Sequence, residues 1–307
     1  MAIIEVHGLT KTYGDKQVVR GIDLEVTAGE IFGILGPNGA GKTTTVECIG
    51  GLRSRDGGTV RVAGFDPADG QSGLREVLGI QLQESRLPDK QTVGEAMRLY
   101  SSFYAAPRDW RELLERLGLR SQEKTYFGRL SGGQKQRLSV ALALIGNPKV
   151  AILDELTTGL DPSARREVWG LLEDLKDTGV TLLLVSHFME EAERLCDRVA
   201  VIDGGRVVAL DTPTDLATSV RADQRMSFVP TRPVRVGALS ALPDVHRAEM
   251  TGDRVSVTGT DNVASAVIIA LYEQGIACRK LRVDQPNLDD AFLALTHTST
   301  TDEGVRR

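Results

Sequence analysis

One eight-residue stretch constrains this chain more than any other feature. Gly36-Pro-Asn-Gly-Ala-Gly-Lys-Thr43 follows an apolar run at residues 31–35 and opens a helical pattern from Lys42. That is the G-x-x-x-x-G-K-[ST] spacing in a strand–loop–helix setting. Its glycines let the backbone curl so that successive amide N–H groups converge, which suits phosphate oxygens. The N–H groups and dipole of the helix start add to the attraction for an anion. Lys42 would neutralise β- and γ-phosphate charge, and the Thr43 hydroxyl would ligate Mg²⁺. The cradle is thus Gly36, Pro37, Asn38, Gly39, Ala40, Gly41, Lys42, Thr43 and Thr44.

The rest of the first two thirds supports an α/β sheet around that loop. Residues 31–35, 150–154, 181–185 and 199–202 are short apolar runs bounded by polar or turn residues, as buried parallel strands are. Residues 3–6 and 21–26 alternate and suit an antiparallel layer. Between residues 84 and about 135 the pattern becomes helical, with apolar residues three and four apart over 93–103 and 110–117, so a helical insertion is expected there. After residue 218 it changes again. Strands at 225–229, 246–250, 254–257 and 278–283 alternate with helices at 236–242 and 262–274, the latter capped by Asp261. The order βαββαβ is that of a ferredoxin-like module. Two domains are expected: residues 1–218, and an accessory α+β domain at 219–307 whose last ten or so residues are disordered.

Composition excludes several classes. A net charge of −5, with no basic patch interleaved with aromatics, speaks against a nucleic-acid partner. The three cysteines are too few and too scattered for a disulfide framework or a zinc knuckle. The N-terminal Met-Ala-Ile-Ile-Glu-Val lacks the basic flank and apolar stretch of a signal peptide. No apolar run is long enough to span a membrane. A reduced, cytosolic protein is expected, and any membrane it serves must be spanned by another chain.

Asp154 and Glu155 end the 150–154 strand, at the sheet edge where open α/β folds bind ligands. Asp154 would hold Mg²⁺ through its water shell, and Glu155 would orient or deprotonate a water. In Leu130-Ser-Gly-Gly-Gln-Lys-Gln-Arg137, Ser131 followed by Gln134 is a capping-box pattern. Gly132 and Gly133 leave that helix start bare, an anion site without a lysine.

Together with Gly159-Leu-Asp161 and Ser186-His187, these motifs resemble the ATPase subunit of ATP-binding-cassette transporters, in family order over about the first 215 residues. The resemblance implies an ATP- and Mg²⁺-dependent ATPase of the phosphate-loop class. It has a parallel core sheet, an antiparallel β layer and a helical insertion. It also implies that Ser131, Gly132, Gly133 and Gln134 bind the γ-phosphate held by a second cassette, so that the working unit is a dimer. Tyr13 matches the aromatic that stacks on adenine, and Gln83 the glutamine linking Mg²⁺ and the attacking water to the helical insertion. Gln81, two residues earlier, would share a strand face with Gln83. His187 matches a γ-phosphate contact, while His7, His246 and His297 have no such context. One position departs from the family: Leu156 follows Glu155 where a proline is usual, which restores a backbone N–H to that turn and leaves it less rigid.

The segment from Ser186 to Arg198 and the late Asn287-Leu-Asp-Asp-Ala-Phe resemble the daunorubicin-resistance type of exporter ATPase. That implies export of a drug, antibiotic or other amphipathic compound through a separate permease. The permease's short cytoplasmic helices would seat in a groove of the insertion beside Gln83, holding the cassette on the inner membrane face. An importer ATPase would share the same site residues. A soluble cassette ATPase would normally have two cassettes, and a DNA-repair cassette would need a long coiled coil between Gln83 and Ser131. A regulatory module would not need intact Lys42, Asp154, Glu155 and His187.

Overall fold

The chain opens on two twelve-residue strands, β1 (Ala2–Tyr13) and β2 (Lys16–Thr27), paired antiparallel. β3 (Ile31–Leu35) and α1 (Lys42–Ile49) flank the glycine-rich loop, and β4 (Gly57–Val62) then returns to pair with β1. The computed structural model describes residues 1–70, 72–82, 87–219, 223–284 and 287–301. It divides into two compact units, Met1–Pro213 together with the segment from Thr296 onward, and Thr214–Leu295.

In the first unit α2 (Ser72–Val77) leads into β5 (Leu78–Gln81). The helical stretch supplies α3 (Val93–Ser101), α4 (Trp110–Arg116) and α5 (Gly132–Leu144). Then follow β6 (Val150–Asp154), α6 (Pro162–Lys176), β7 (Thr181–Val185) and α7 (Met189–Leu195). β8 (Arg198–Asp203) and β9 (Arg206–Asp211) come last, and α8 (Pro213–Ser219) starts at the boundary and runs into the second unit. The six-stranded sheet runs β5-β6-β7-β3-β8-β9, parallel except for the β8–β9 pair.

Every residue of β3, β6 and β7 is buried because the sheet lies between two cores. Ile152, Leu183, Phe32 and Ile34 join the antiparallel layer, with Ile4, Val6 and Val46. Their neighbours Ala151, Leu153, Leu182, Leu184 and Ile31 face a second core built with Met97, Leu114 and Leu138 of the helical stretch. Alternate residues of one strand thus serve opposite cores, which is why these strands read as unbroken apolar runs. Contact between β5 and α5 is close: a Cβ on Gly79 would sit 1.9 Å from the Ala143 carbonyl oxygen.

The second unit contains β10 (Gln224–Pro230), α9 (Val236–Ser240), β11 (Val245–Thr251) and β12 (Arg254–Gly259). α10 (Val263–Glu273) and β13 (Cys278–Asp284) follow, and α11 (Leu288–Thr301) begins there. The antiparallel order β11-β12-β10-β13 is that of the split βαβ. Met226, Phe228, Val255, Val257, Val267 and Leu271 form its own core.

Several sequence expectations are corrected. β1 and β2 are far longer than residues 3–6 and 21–26, because hairpin pairing carries them on through register shifts. β4 and β9 have no counterpart in the sequence reading. Asn262, not Asp261, precedes α10 as its cap and makes no side-chain cap bond; the Thr260 hydroxyl accepts from the Asn262 N–H at 3.3 Å instead. α11 continues to Thr301, into the segment expected to be disordered, and residues 302–307 lie outside the described ones. β5 ends at Gln81, and the strand face expected to be shared with Gln83 falls on a residue outside the described ones.

Candidate functional site

Three neighbouring strands deliver the site's groups to one sheet edge. Asp154 is paired with Val185, and Val185 with Ile34. The glycine-rich loop, the Asp154–Glu155 turn and Ser186–His187 therefore leave the carboxyl ends of β3, β6 and β7 side by side. This is where an open parallel sheet binds its ligand.

The loop needs its glycines for room as well as for curl. A Cβ on Gly36 would lie 2.2 Å from the Ile202 carbonyl oxygen, and one on Gly41, where φ is +102°, 2.7 Å from that of Val18. Ala40 and Lys42 are buried; Asn38, Gly39 and Thr43 are exposed, and Pro37 and Thr44 lie between. Lys42 Nζ donates to the carbonyl oxygens of Gly36 at 2.8 Å and Pro37 at 3.1 Å. Burial lowers its pKa, and the Glu155 and Asp154 carboxylates oppose that shift.

Asp154 is 1% exposed, and neither of its carboxylate oxygens has a hydrogen-bond partner. Burial first, then the Glu155 charge, pushes its pKa up to about 6 against the pull of Lys42. A buried carboxylate with both oxygens free calls for a cation. Among the described residues no group of three or more His, Cys, Asp or Glu side chains could cage a metal. A single carboxylate with a hydroxyl and substrate phosphates is how Mg²⁺ is commonly held, so Asp154 and Thr43 fit that ion.

Glu155 has φ +48°, left-handed for a residue with a side chain, which costs roughly 1–3 kcal/mol. Its N–H donates to the Val185 carbonyl at 2.9 Å, fixing the turn to the neighbouring strand. His187 Nδ1 lies 3.5 Å from Glu155 Oε1. Leu156, where a proline was the usual residue, is 3% exposed and packs into the core on the helical side. Its side chain thereby anchors the turn.

Ser131 caps α5 as read from the sequence: its hydroxyl accepts from Gln134 N–H at 3.2 Å, and its own N–H donates to Gln134 Oε1 at 2.9 Å. Gly132 and Gly133 form the first turn without side chains. Tyr13 is exposed at the tip of the β1–β2 hairpin, with Lys11 Nζ 5.7 Å and the Arg53 guanidinium 5.3 Å from its ring centre. The structure thus gathers Lys42, Asp154, Glu155 and His187 at one sheet edge. Phe188 and Arg165 were missed: the Phe188 ring packs on His187, and Arg165 lies over Phe188. A Phe after a His and an Arg on a helix form no motif, so the sequence carries no signal for them.

Fold and loop define a phosphate-loop nucleoside triphosphatase with a helical insertion. A family model described as ABC transporter matches residues 19–158. The chain is 33% identical to the linearmycin resistance ATP-binding protein LnrL of Bacillus subtilis, covering 98% of this chain and 100% of that one. It is 38% identical to the Nod factor export ATP-binding protein I of Rhizobium etli, over 96% and 94% of the two chains. A daunorubicin resistance ATP-binding protein of Streptomyces coeruleorubidus is 36% identical, over 95% of each. Among solved structures, the ATP-binding subunit of an ABC transporter superposes with a TM-score of 0.64 at 29% identity, over 71% of this chain and 92% of that one. The chain belongs to the ABC transporter family, as an ATP-binding subunit whose activity is ATP hydrolysis.

Proposed function

We propose that this chain powers export of a drug, antibiotic or other amphipathic compound through a separate membrane subunit. The observation that carries this is likeness along nearly the whole length, second unit included, to proteins named for linearmycin resistance, Nod factor export and daunorubicin resistance. No helix among the described residues is long and apolar enough to cross a membrane. The chain would then sit on the cytoplasmic face, held there by its permease.

In this reading the loop from Gly36 to Thr44 cradles the triphosphate and Tyr13 stacks on adenine. Lys42 exchanges its carbonyl partners for phosphate oxygens. Thr43 and Asp154 would hold Mg²⁺, and Gln83 would join them. When bound there, Mg²⁺ would supply charge that offsets that of the phosphates and of the leaving group. Glu155 takes a proton from the attacking water, and His187 beside it contacts the γ-phosphate. Ser131, Gly132, Gly133 and Gln134 serve the γ-phosphate on a second cassette. ATP then closes the pair, and hydrolysis releases it.

Glu155→Gln tests the chemistry. The amide cannot take the proton, so ATP binding should persist, turnover should nearly vanish, and an ATP-bound dimer should accumulate. Hydrolysis at the wild-type rate would remove Glu155 from this role. Direction is tested by expressing the chain with a candidate permease and following accumulation of an amphipathic dye. Export predicts lower accumulation, abolished by Glu155→Gln; energy-dependent uptake would make it an importer.

A further inference from the structure

His187 must present one ring edge to Glu155, yet its side chain is 37% exposed and lies in a turn rather than a helix. What holds the ring comes from its neighbour. The His187 and Phe188 ring centres are 4.1 Å apart with planes inclined by 39°. The Arg165 guanidinium carbon is also 4.1 Å from the Phe188 centre, and Arg165 Nε is buried without a hydrogen-bond partner. A guanidinium that leaves a buried N–H unbonded to lie on a ring is held there by its flat cationic face.

Arg165 is anchored in turn. Its N–H donates to the Asp161 carbonyl at 3.0 Å, and Asp161 Oδ1 caps α6 by accepting from Ser163 and Ala164. The Phe188 N–H donates to Ser186 Oγ at 3.0 Å. The start of α6 also meets the first turn of α5, since a Cβ on Gly133 would lie 3.2 Å from that of Ala164.

We propose that Arg165 and Phe188 are positioning residues that hold the His187 imidazole against Glu155 and tie it to the first turn of α6. The proposal rests on the ATP-site reading of His187 and Glu155. In this reading neither residue is assigned a contact with nucleotide. Each acts by restricting the ring, so losing one should slow the chemical step and leave ATP binding intact.

The test uses the full-length protein, with ATP affinity and melting temperature confirming that each variant folds. Phe188→Leu keeps bulk but removes the ring face; kcat for ATP should fall about tenfold while KM stays within about twofold. Phe188→Tyr keeps the face and should restore turnover. Arg165→Lys retains charge but not the flat guanidinium and should match Phe188→Leu. The double variant should fall no further than either single one, and in a His187→Ala background neither substitution should lower the residual rate. Wild-type kcat in Phe188→Leu or Arg165→Lys, failure of Phe188→Tyr, or multiplied losses in either background would overturn the proposal. Wild-type hydrolysis by His187→Ala alone would instead overturn the ATP-site reading beneath it.

Discussion

Asp154 lies buried with two unbonded oxygens, and its pKa is raised to about 6 from an ordinary value of 3.8. The charged form therefore destabilises the nucleotide-free fold at pH above about 6, and that penalty fades as pH falls towards 4. At roughly 1.4 kcal/mol per unit, the penalty is about 3 kcal/mol at most. Asp154→Asn, in chelator and without nucleotide, should thus melt at a higher temperature than wild type at pH 7.5, with no gain near pH 4. A lower melting temperature for the variant at pH 7.5 would show that the carboxylate is not strained. Glu155 shows a second strain, in its backbone φ of +48°. The Asp154–Glu155 pair was legible from two acids at a strand end; the strain was not, because φ and burial are set by what packs around the turn.

The N-terminus of α5 was read from Ser131 and Gln134, and the reciprocal bonds are present. Placing a large cation at that bare start opposes the helix dipole and blocks an anion. Ser131→Arg should leave ATP binding by a single chain unchanged while dimer formation and hydrolysis fail. Loss of binding in the monomer would mean that the α5 N-terminus serves its own chain's nucleotide. Elsewhere on the same helix, a Cβ on Gly79 of β5 would collide with the Ala143 carbonyl. Backbone cannot yield as a side chain can, so Gly79→Ala should cost at least about 1–3 kcal/mol and lower the melting temperature by several degrees. An unchanged melting curve would show that the strand and helix can separate there. Nothing in the sequence marks Gly79, since its neighbour across the contact lies more than sixty residues away in the chain.

At the scale of the whole molecule, the two units have separate cores, from which we infer that the second is not needed for nucleotide binding. The sequence beyond residue 218 carries no phosphate-loop motif, and we propose that this unit steadies the paired cassettes. Truncation after Ala217 should leave ATP affinity within about twofold of the full chain and reduce dimer-dependent hydrolysis and export. Equal turnover and transport with the permease would make the unit an accessory without a coupling role. The chemistry of this protein was written locally: a loop that must cradle phosphate, a strand ending in two acids and a capped bare helix each need only a few adjacent residues. The parallel strands were equally legible, because burial on both faces demands unbroken apolar runs. Tertiary structure alone decided the long β1–β2 hairpin and the return of β4 and β9, since pairing partners, not propensity, set how far a strand runs. It alone turned Leu156 into a core residue and stacked Arg165 on Phe188 beside His187, because contacts between distant segments exist only once the sheet has brought its strands together.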